Sequence, residues 1–229
     1  MASSPVEGSS FPLDDYEALL STTDVELLKR AWRNEKAAPE ILRFETDLTD
    51  RIREQIQLME ETVEEKSAAG INPLSISLYQ MDLDRAQFLL RSYLRIRIQK
   101  IEKYMFHIAK TDELWNRLSR EEKSFTRRCT DDLKQHLEES VLSKLPENYQ
   151  SFQRQSVISE QDDMVPEPQL DTFVVCRSKE YLTGIQLEDG PVDDRQLLSK
   201  LFEMEPGVLY FICYKSIKAL VESGKIDLL

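Results

Sequence analysis

Glycine, histidine and cysteine are scarce in this chain of 229 residues, which has 6, 2 and 3 of them. The glycines (Gly8, Gly70, Gly184, Gly190, Gly207 and Gly224) are scattered, and no two form a loop that cradles phosphate, so nucleotide-binding fingerprints are excluded. His107 and His136 stand apart from any Cys or carboxylate at ligand spacing, whereas a zinc site needs about four ligands in clustered pairs. Each reads as a partly exposed helix residue. Cys129, Cys176 and Cys213 are odd in number, far apart and beside apolar or β-branched neighbours. That excludes a disulfide framework and predicts buried thiols in a reducing compartment. No nucleophile elbow or kinase-type set occurs. The carboxylate pairs Glu60-Glu61 and Glu64-Glu65 fall on the outer face of an amphipathic helix, and a solvated carboxylate lacks the burial that raises a general acid's pKa. The chain is expected to be no enzyme and to hold no metal or cofactor. No basic segment followed by an apolar run opens it, and no apolar run is long enough to span a bilayer. A soluble, intracellular protein without membrane contact is predicted.

What the chain has in plenty is charge: 31% of residues, with a formal net charge of −12. Low glycine and high charge favour helix over sheet. The acidic balance argues against a nucleic-acid coat, because backbone binding is driven by cationic surface. One stretch reverses the sign. From Ile76 to Lys110, Arg85, Arg91, Arg95, Arg97, Lys100, Lys103 and Lys110 oppose Asp82, Asp84 and Glu102, so 7 − 3 = +4. The same stretch has no Gly or Pro, and its apolar residues (Leu83, Phe88, Leu89, Leu90, Tyr93, Leu94, Ile96, Ile98, Ile101, Tyr104) exceed one stripe. A helix apolar on more than one face lies deep in a core or between chains.

The pattern predicts an α+β protein, an N-terminal all-α helical bundle followed by a small β-rich domain. Residues 1–22 form a leader in which Asp14, Asp15, Tyr16, Leu19 and Leu20 make a short acidic-apolar helix, either docked on its own domain or offered to another protein's groove. Residues 23–146 are the helical domain. Thr23-Asp24-Val25-Glu26 has capping-box spacing, and Pro39 is suited to a first helical position. Leu48, Ile52, Ile56, Met59 and Val63 make the stripe of a second helix, closed by Gly70 and Pro73. A long basic helix spans about 75–107. A second capping box at Ser119–Glu122 opens a fourth helix with Phe125, Cys129, Leu133, Leu137 and Val141, ended by Pro146. Residues 147–170, rich in Gln, Ser, Glu, Asp and Pro, read as an exposed linker or a loosely held surface segment. In 171–229, runs 172–176 and 207–214 are strands, Glu188–Pro191 a turn, 216–223 a short helix stopped by Gly224, and 226–229 a last strand.

The interface candidates are Trp32, Tyr93, Arg91, Arg95, Arg97 and Ile101. Arg suits bidentate pairing with carboxylates across an interface, and Trp and Tyr are common anchors there. Two further readings stay open: a helical adaptor of another pathway, and a DNA-binding protein that uses the basic helix.

Three segments together resemble the Sld-five-type subunits of the GINS replication complex. They are Ala31-Trp32-Arg33-Asn34-Glu35-Lys36-Ala37-Ala38-Pro39-Glu40-Ile41-Leu42, the helix Met81 to Lys103 with Ser92-Tyr93-Leu94-Arg95 and Lys100-Ile101-Glu102-Lys103, and Tyr214-Lys215-Ser216-Ile217 with Leu220-Val221 and Ser223-Gly224. The order of domains is also that of these subunits. The resemblance covers about residues 24–229. It implies a non-catalytic nuclear scaffold that joins three sister subunits in a heterotetramer and, with the MCM ring and Cdc-forty-five, makes up the replicative helicase. It further implies contact with the replicative polymerase, weak or no direct DNA contact, and docking of a Ctf-four-type adaptor on the 14–20 peptide. Under it, the C-terminal domain is expected to dock away from its own helical domain, on a sister subunit or on the helicase.

Overall fold

The computed structural model describes residues 23–70, 72–156, 158, 162–185 and 202–229. The leader peptide with Asp14, Asp15, Tyr16, Leu19 and Leu20, and the expected turn at Glu188–Pro191, lie outside the described residues.

Helix α1 (Asp24–Ala37) opens on Thr23, whose hydroxyl accepts the Glu26 N–H at 3.4 Å. It stops at Ala38, which is extended (φ −67, ψ 136) because the following proline ring disfavours helical backbone there. Pro39 therefore ends a helix instead of starting one, and the chain runs without regular structure to Glu45. Helix α2 (Thr46–Ala68) is turned back by Gly70, whose φ of +66 a side chain would oppose. Helix α3 (Pro73–Lys110) follows, with the Asn72 side chain accepting the Leu74 N–H and Pro73 in the first turn. It bends at Tyr104 (φ −118, ψ 19). A short helix α4 (Asp112–Asn116) leads to α5 (Arg120–Ser140), where Ser119 and Glu122 form the complete reciprocal capping box. Helix α5 ends before Pro146, and two short 3-10 turns follow it.

Two apolar clusters hold the helices. Leu28, Leu48, Ile52, Leu90 and Tyr93 join α1, α2 and α3. Ile41, Ile101, Ile108, Leu114 and Leu118 join the bent end of α3 to α4 and the extended 38–45 segment. A fully buried Leu or Ile here stabilises by about 1.5–3 kcal/mol.

The C-terminal domain is a three-stranded antiparallel sheet, β4 (Leu209–Cys213), β1 (Phe173–Ser178), β5 (Ile226–Leu228), with helix α6 (Tyr214–Glu222) packed on one face. Strands β2 (Leu182–Ile185) and β3 (Phe202–Met204) form a separate ribbon that the sequence pattern did not announce, being too short to show alternation. Strand β1 alternates outward and inward, burying Val174, Cys176 and Ser178. Cys176 and Cys213 are buried as expected, whereas Cys129 is half-buried on α5.

Two expectations need correction. The segment 147–170 is not loosely held where it is described: Phe152 packs on Phe106 of α3 at 5.1 Å, Asp162 pairs with Lys110 and Arg154, and Glu167 meets His107 at 3.4 Å. Its composition is polar, but the polar groups find partners on the end of α3. The C-terminal domain, moreover, docks on its own helical domain, and Ala38 belongs to its core cluster.

Candidate subunit interface

Arg97 is the hub of the helical domain and is fully buried. Its Nε and Nη2 donate to the two carboxylate oxygens of Glu122 at 2.7 and 3.0 Å, a bidentate pair with α5. Its Nη1 donates to Glu35 on α1 at 2.8 Å and to the Leu42 carbonyl at 2.8 Å, and Nη2 also reaches the Arg117 carbonyl at 3.3 Å. These bonds match the five N–H donors of a guanidinium. The rings of Phe44 and Tyr93 lie 5.2 and 5.7 Å away. One turn on, Lys100 donates to Glu35 Oε1 and to the Glu40 carbonyl, both at 2.8 Å, and to the Glu35 carbonyl. Desolvation lowers the pKa of Arg97, but the Glu122 hydrogen bond and the Glu35 charge outweigh it, and the group stays charged. Desolvation prevails at Lys100 and pulls its pKa below the usual lysine value. Burial pushes the Tyr93 phenol up to about 12.

Glu40 carries this network into the C-terminal domain. Its carboxylate accepts from Tyr214 Oη and Lys218 Nζ, both at 3.1 Å and both on α6, and lies 3.3 Å from Arg117. Arg117 in turn donates to the Ile41 carbonyl, to Glu113 and to Glu222 of α6. On the other side of α1, the Leu228 N–H of β5 donates to Asn34 Oδ1 at 2.7 Å, and Asp227 lies 3.4 Å from Arg30.

A different part of α3 is left open. Leu74, Leu78, Met81 and Phe88 recur at helical spacing on one face and are 50 to 66% exposed. The buried residues Leu83, Ala86, Leu90, Arg97 and Ile101 occupy the opposite face. One turn past Phe88 the open stripe reaches Ser92, and there Trp32 of α1 covers it, its indole N–H donating to Ser92 Oγ at 2.9 Å.

Two family models match the chain. The GINS complex protein helical bundle domain matches residues 47–141, and the C-terminus of the DNA replication complex GINS protein SLD5 matches residues 168–229. The chain is similar along its whole length to the DNA replication complex GINS protein SLD5 of Arabidopsis thaliana, 60% identical over 229 residues, which is 100% of each chain. This chain belongs to the Sld5 family. The SLD5 protein of Rattus norvegicus is 32% identical and that of Homo sapiens 31%, each over 210 residues, 90% of this chain and 88% of the relative.

The three sequence segments that resembled this family meet at the buried network. Glu35 and Glu40 come from the first, Arg97 and Lys100 from the second, and Tyr214 from the third. The expected interface residues therefore separate into two groups. Arg91 and Arg95 are exposed and Trp32 is half-buried at the edge of the open stripe. Tyr93, Arg97 and Ile101 are at most 1% exposed inside their own chain, so the expectation that they face a sister subunit is corrected. Helical spacing showed that α3 has two apolar faces, but not which face its own chain would cover. The sequence pattern does not mark the acidic members Glu35, Glu40 and Glu122: a single Glu on a charged helix gives no sign of burial, although Glu122 stands in a capping box.

Proposed function

We propose that this chain is the Sld5-type subunit of a heterotetrameric GINS complex and joins its three sister subunits through the open face of α3. The observation that carries the reading is the run Leu74, Leu78, Met81 and Phe88, half or more exposed on a helix whose opposite face is already buried. Exposed apolar side chains gathered on one helix face, with Arg85 between Met81 and Phe88, mark a contact with other chains. Arg91 and Arg95, exposed beside Phe88, pair with carboxylates of a sister subunit and set the register of the helices. Obligate interfaces of this class bury about 2,000 Å² or more.

As a GINS subunit the chain works in the nucleus as a non-catalytic scaffold, holding the MCM ring and Cdc-forty-five in the replicative helicase and linking it to a polymerase. The acidic-apolar peptide with Asp14, Asp15, Tyr16, Leu19 and Leu20 docks a Ctf-four-type adaptor. Direct DNA contact is weak or absent, and the use of the basic residues supports this. Arg97 and Lys100 are spent on internal carboxylates, Lys110 pairs with Asp162, and Arg85 lies beside Asp82.

Co-expression with candidate sister subunits, followed by size exclusion with light scattering, tests the assembly. The wild-type chain is expected in a one-to-one-to-one-to-one complex. Leu78→Asp with Phe88→Asp should drop out of the complex while keeping the helical circular dichroism of the wild type. A double variant that still co-purifies in stoichiometric amount overturns the role given to this face. A wild-type chain that ignores its sisters overturns the reading as a whole.

A further inference from the structure

The sheet of the C-terminal domain has two edges, and the chain treats them differently. At β5, the Leu229 N–H donates to the Val175 carbonyl at 3.0 Å, and the alternation of an antiparallel ladder turns the Leu228 N–H outward. Asn34 caps that N–H from α1. At β4, the Tyr214 N–H donates to the Thr172 carbonyl at 2.9 Å, so the same alternation turns Tyr210 and Ile212 towards β1 and the N–H and C=O of Leu209 and Phe211 away from it. Among the described residues, no backbone group outside the ladder bonds them.

The side chains on this edge are also open. Leu209 is 60% and Phe211 69% exposed, and across the ladder Phe173 and Val175 are 49% and 40% exposed on the same face. Phe173 and Phe211 stack at 5.2 Å. Native sheets blunt such an edge with Lys, Pro, a bulge or a covering element. Here the β5 edge is covered, and among the described residues the β4 edge has none of these. Arg177 stands opposite Leu209 and is exposed. Its neighbour across the ladder, Asp227, is engaged by Arg30 and Lys179, and no ion pair of Arg177 forms among the described residues.

We propose that β4 is a strand-addition site for an extended segment of a partner protein, with apolar residues at alternate positions and an Asp or Glu that meets Arg177. The open N–H and C=O groups of Leu209 and Phe211 supply the main-chain bonds. Phe173, Val175, Leu209 and Phe211 receive the alternate apolar side chains, and Arg177 selects for the acid. The site goes beyond the scaffold reading and lies on a different domain from the open face of α3, so either stands if the other fails.

The test selects displayed random peptides of about twelve residues on the full chain, long enough to run past a strand of this size. Selected peptides should alternate apolar residues around an acid. They should lose about tenfold or more in affinity on Phe211→Pro, which removes an outward N–H together with the exposed ring, and on Arg177→Glu and Leu209→Lys, which alter exposed side chains. Amide exchange should show Phe211 fast in the free chain and slowed about tenfold or more by peptide, with Ile212 protected in both. The proposal is overturned if no peptide is enriched, or if selected peptides bind the three variants as they bind the wild type. An amide of Phe211 already protected in the free chain also overturns it, as does a concentration-dependent dimer that Leu209→Lys abolishes, since the edge would then belong to the chain itself or to a second copy.

Discussion

Asn34 and Leu228 lie 194 positions apart, and the Asn34 amide oxygen accepts the Leu228 backbone N–H at 2.7 Å. One side chain of the first helix thus closes the edge of the last strand and fastens the C-terminal domain to the helical one. Asn34→Ala leaves that N–H unpaired in a half-buried site and should cost about 1–3 kcal/mol. A urea midpoint lowered accordingly, with faster amide exchange confined to 226–228, is the expected result. An unchanged midpoint would show that this bond adds nothing to the docking of the C-terminal domain.

Arg97 and Glu122 make a buried bidentate pair at the centre of the helical domain. Arg97→Met leaves the buried Glu122 without its cation and Glu35 with Lys100 alone, and should cost about 3–5 kcal/mol. Adding Glu122→Gln should recover part of that loss, because a neutral Gln needs no cation and still caps Ser119. Arg97→Lys should not rescue, since an ammonium cannot form the bidentate pair. Chemical denaturation of the single and double variants gives the comparison directly.

Glu113 on α4 has its carboxyl held below its ordinary value of 4.5, first by the charge of Lys218 on α6 and then by Arg117. A depressed folded pKa contributes stability that is present above 4.5 and lost as pH falls through the folded value. Glu113 is 63% exposed, so solvent screens the effect and it is expected to be small. Glu113→Gln should lower stability slightly at neutral pH, leave it unchanged in strong acid, and so flatten the acid limb of the stability curve below pH 4.5. An acid limb that keeps its slope would remove Glu113 from the contacts that hold the domains together.

Burial pushes the Cys176 thiol up to about 11 and leaves the residue with no exposure. Cys213 is 3% exposed, whereas Cys129 is half-buried. At neutral pH a thiol reagent should therefore label Cys129 first, and the other two only after the C-terminal domain opens. Labelling of Cys176 at the rate of Cys129 would mean that this domain opens readily on its own.

The helix boundaries marked by Ser119, Glu122, Gly70 and Pro73, the apolar stripe of α2 and the switch to β-rich texture near residue 172 were legible in the sequence. Each is a local signal: a cap, a period or a breaker acts within one or two turns of the residues that carry it. The ribbon of β2 and β3, the helical turn α4 and the anchoring of Phe152 on Phe106 were not legible, being too short to establish a period or dependent on a partner far along the chain.

The same division runs through the candidate site. From sequence alone, α3 had to be apolar on more than one face and rich in arginine, and Arg91, Arg95 and Arg97 looked alike. Packing separated them, because residue 97 falls on the face that α1 and α5 close over, while residues 91 and 95 fall outside it. Composition set the number of charges. Which of them gave up water for a buried partner depended on three helices arriving at one point, and no local pattern encodes a meeting of segments as distant as Glu35, Arg97 and Glu122.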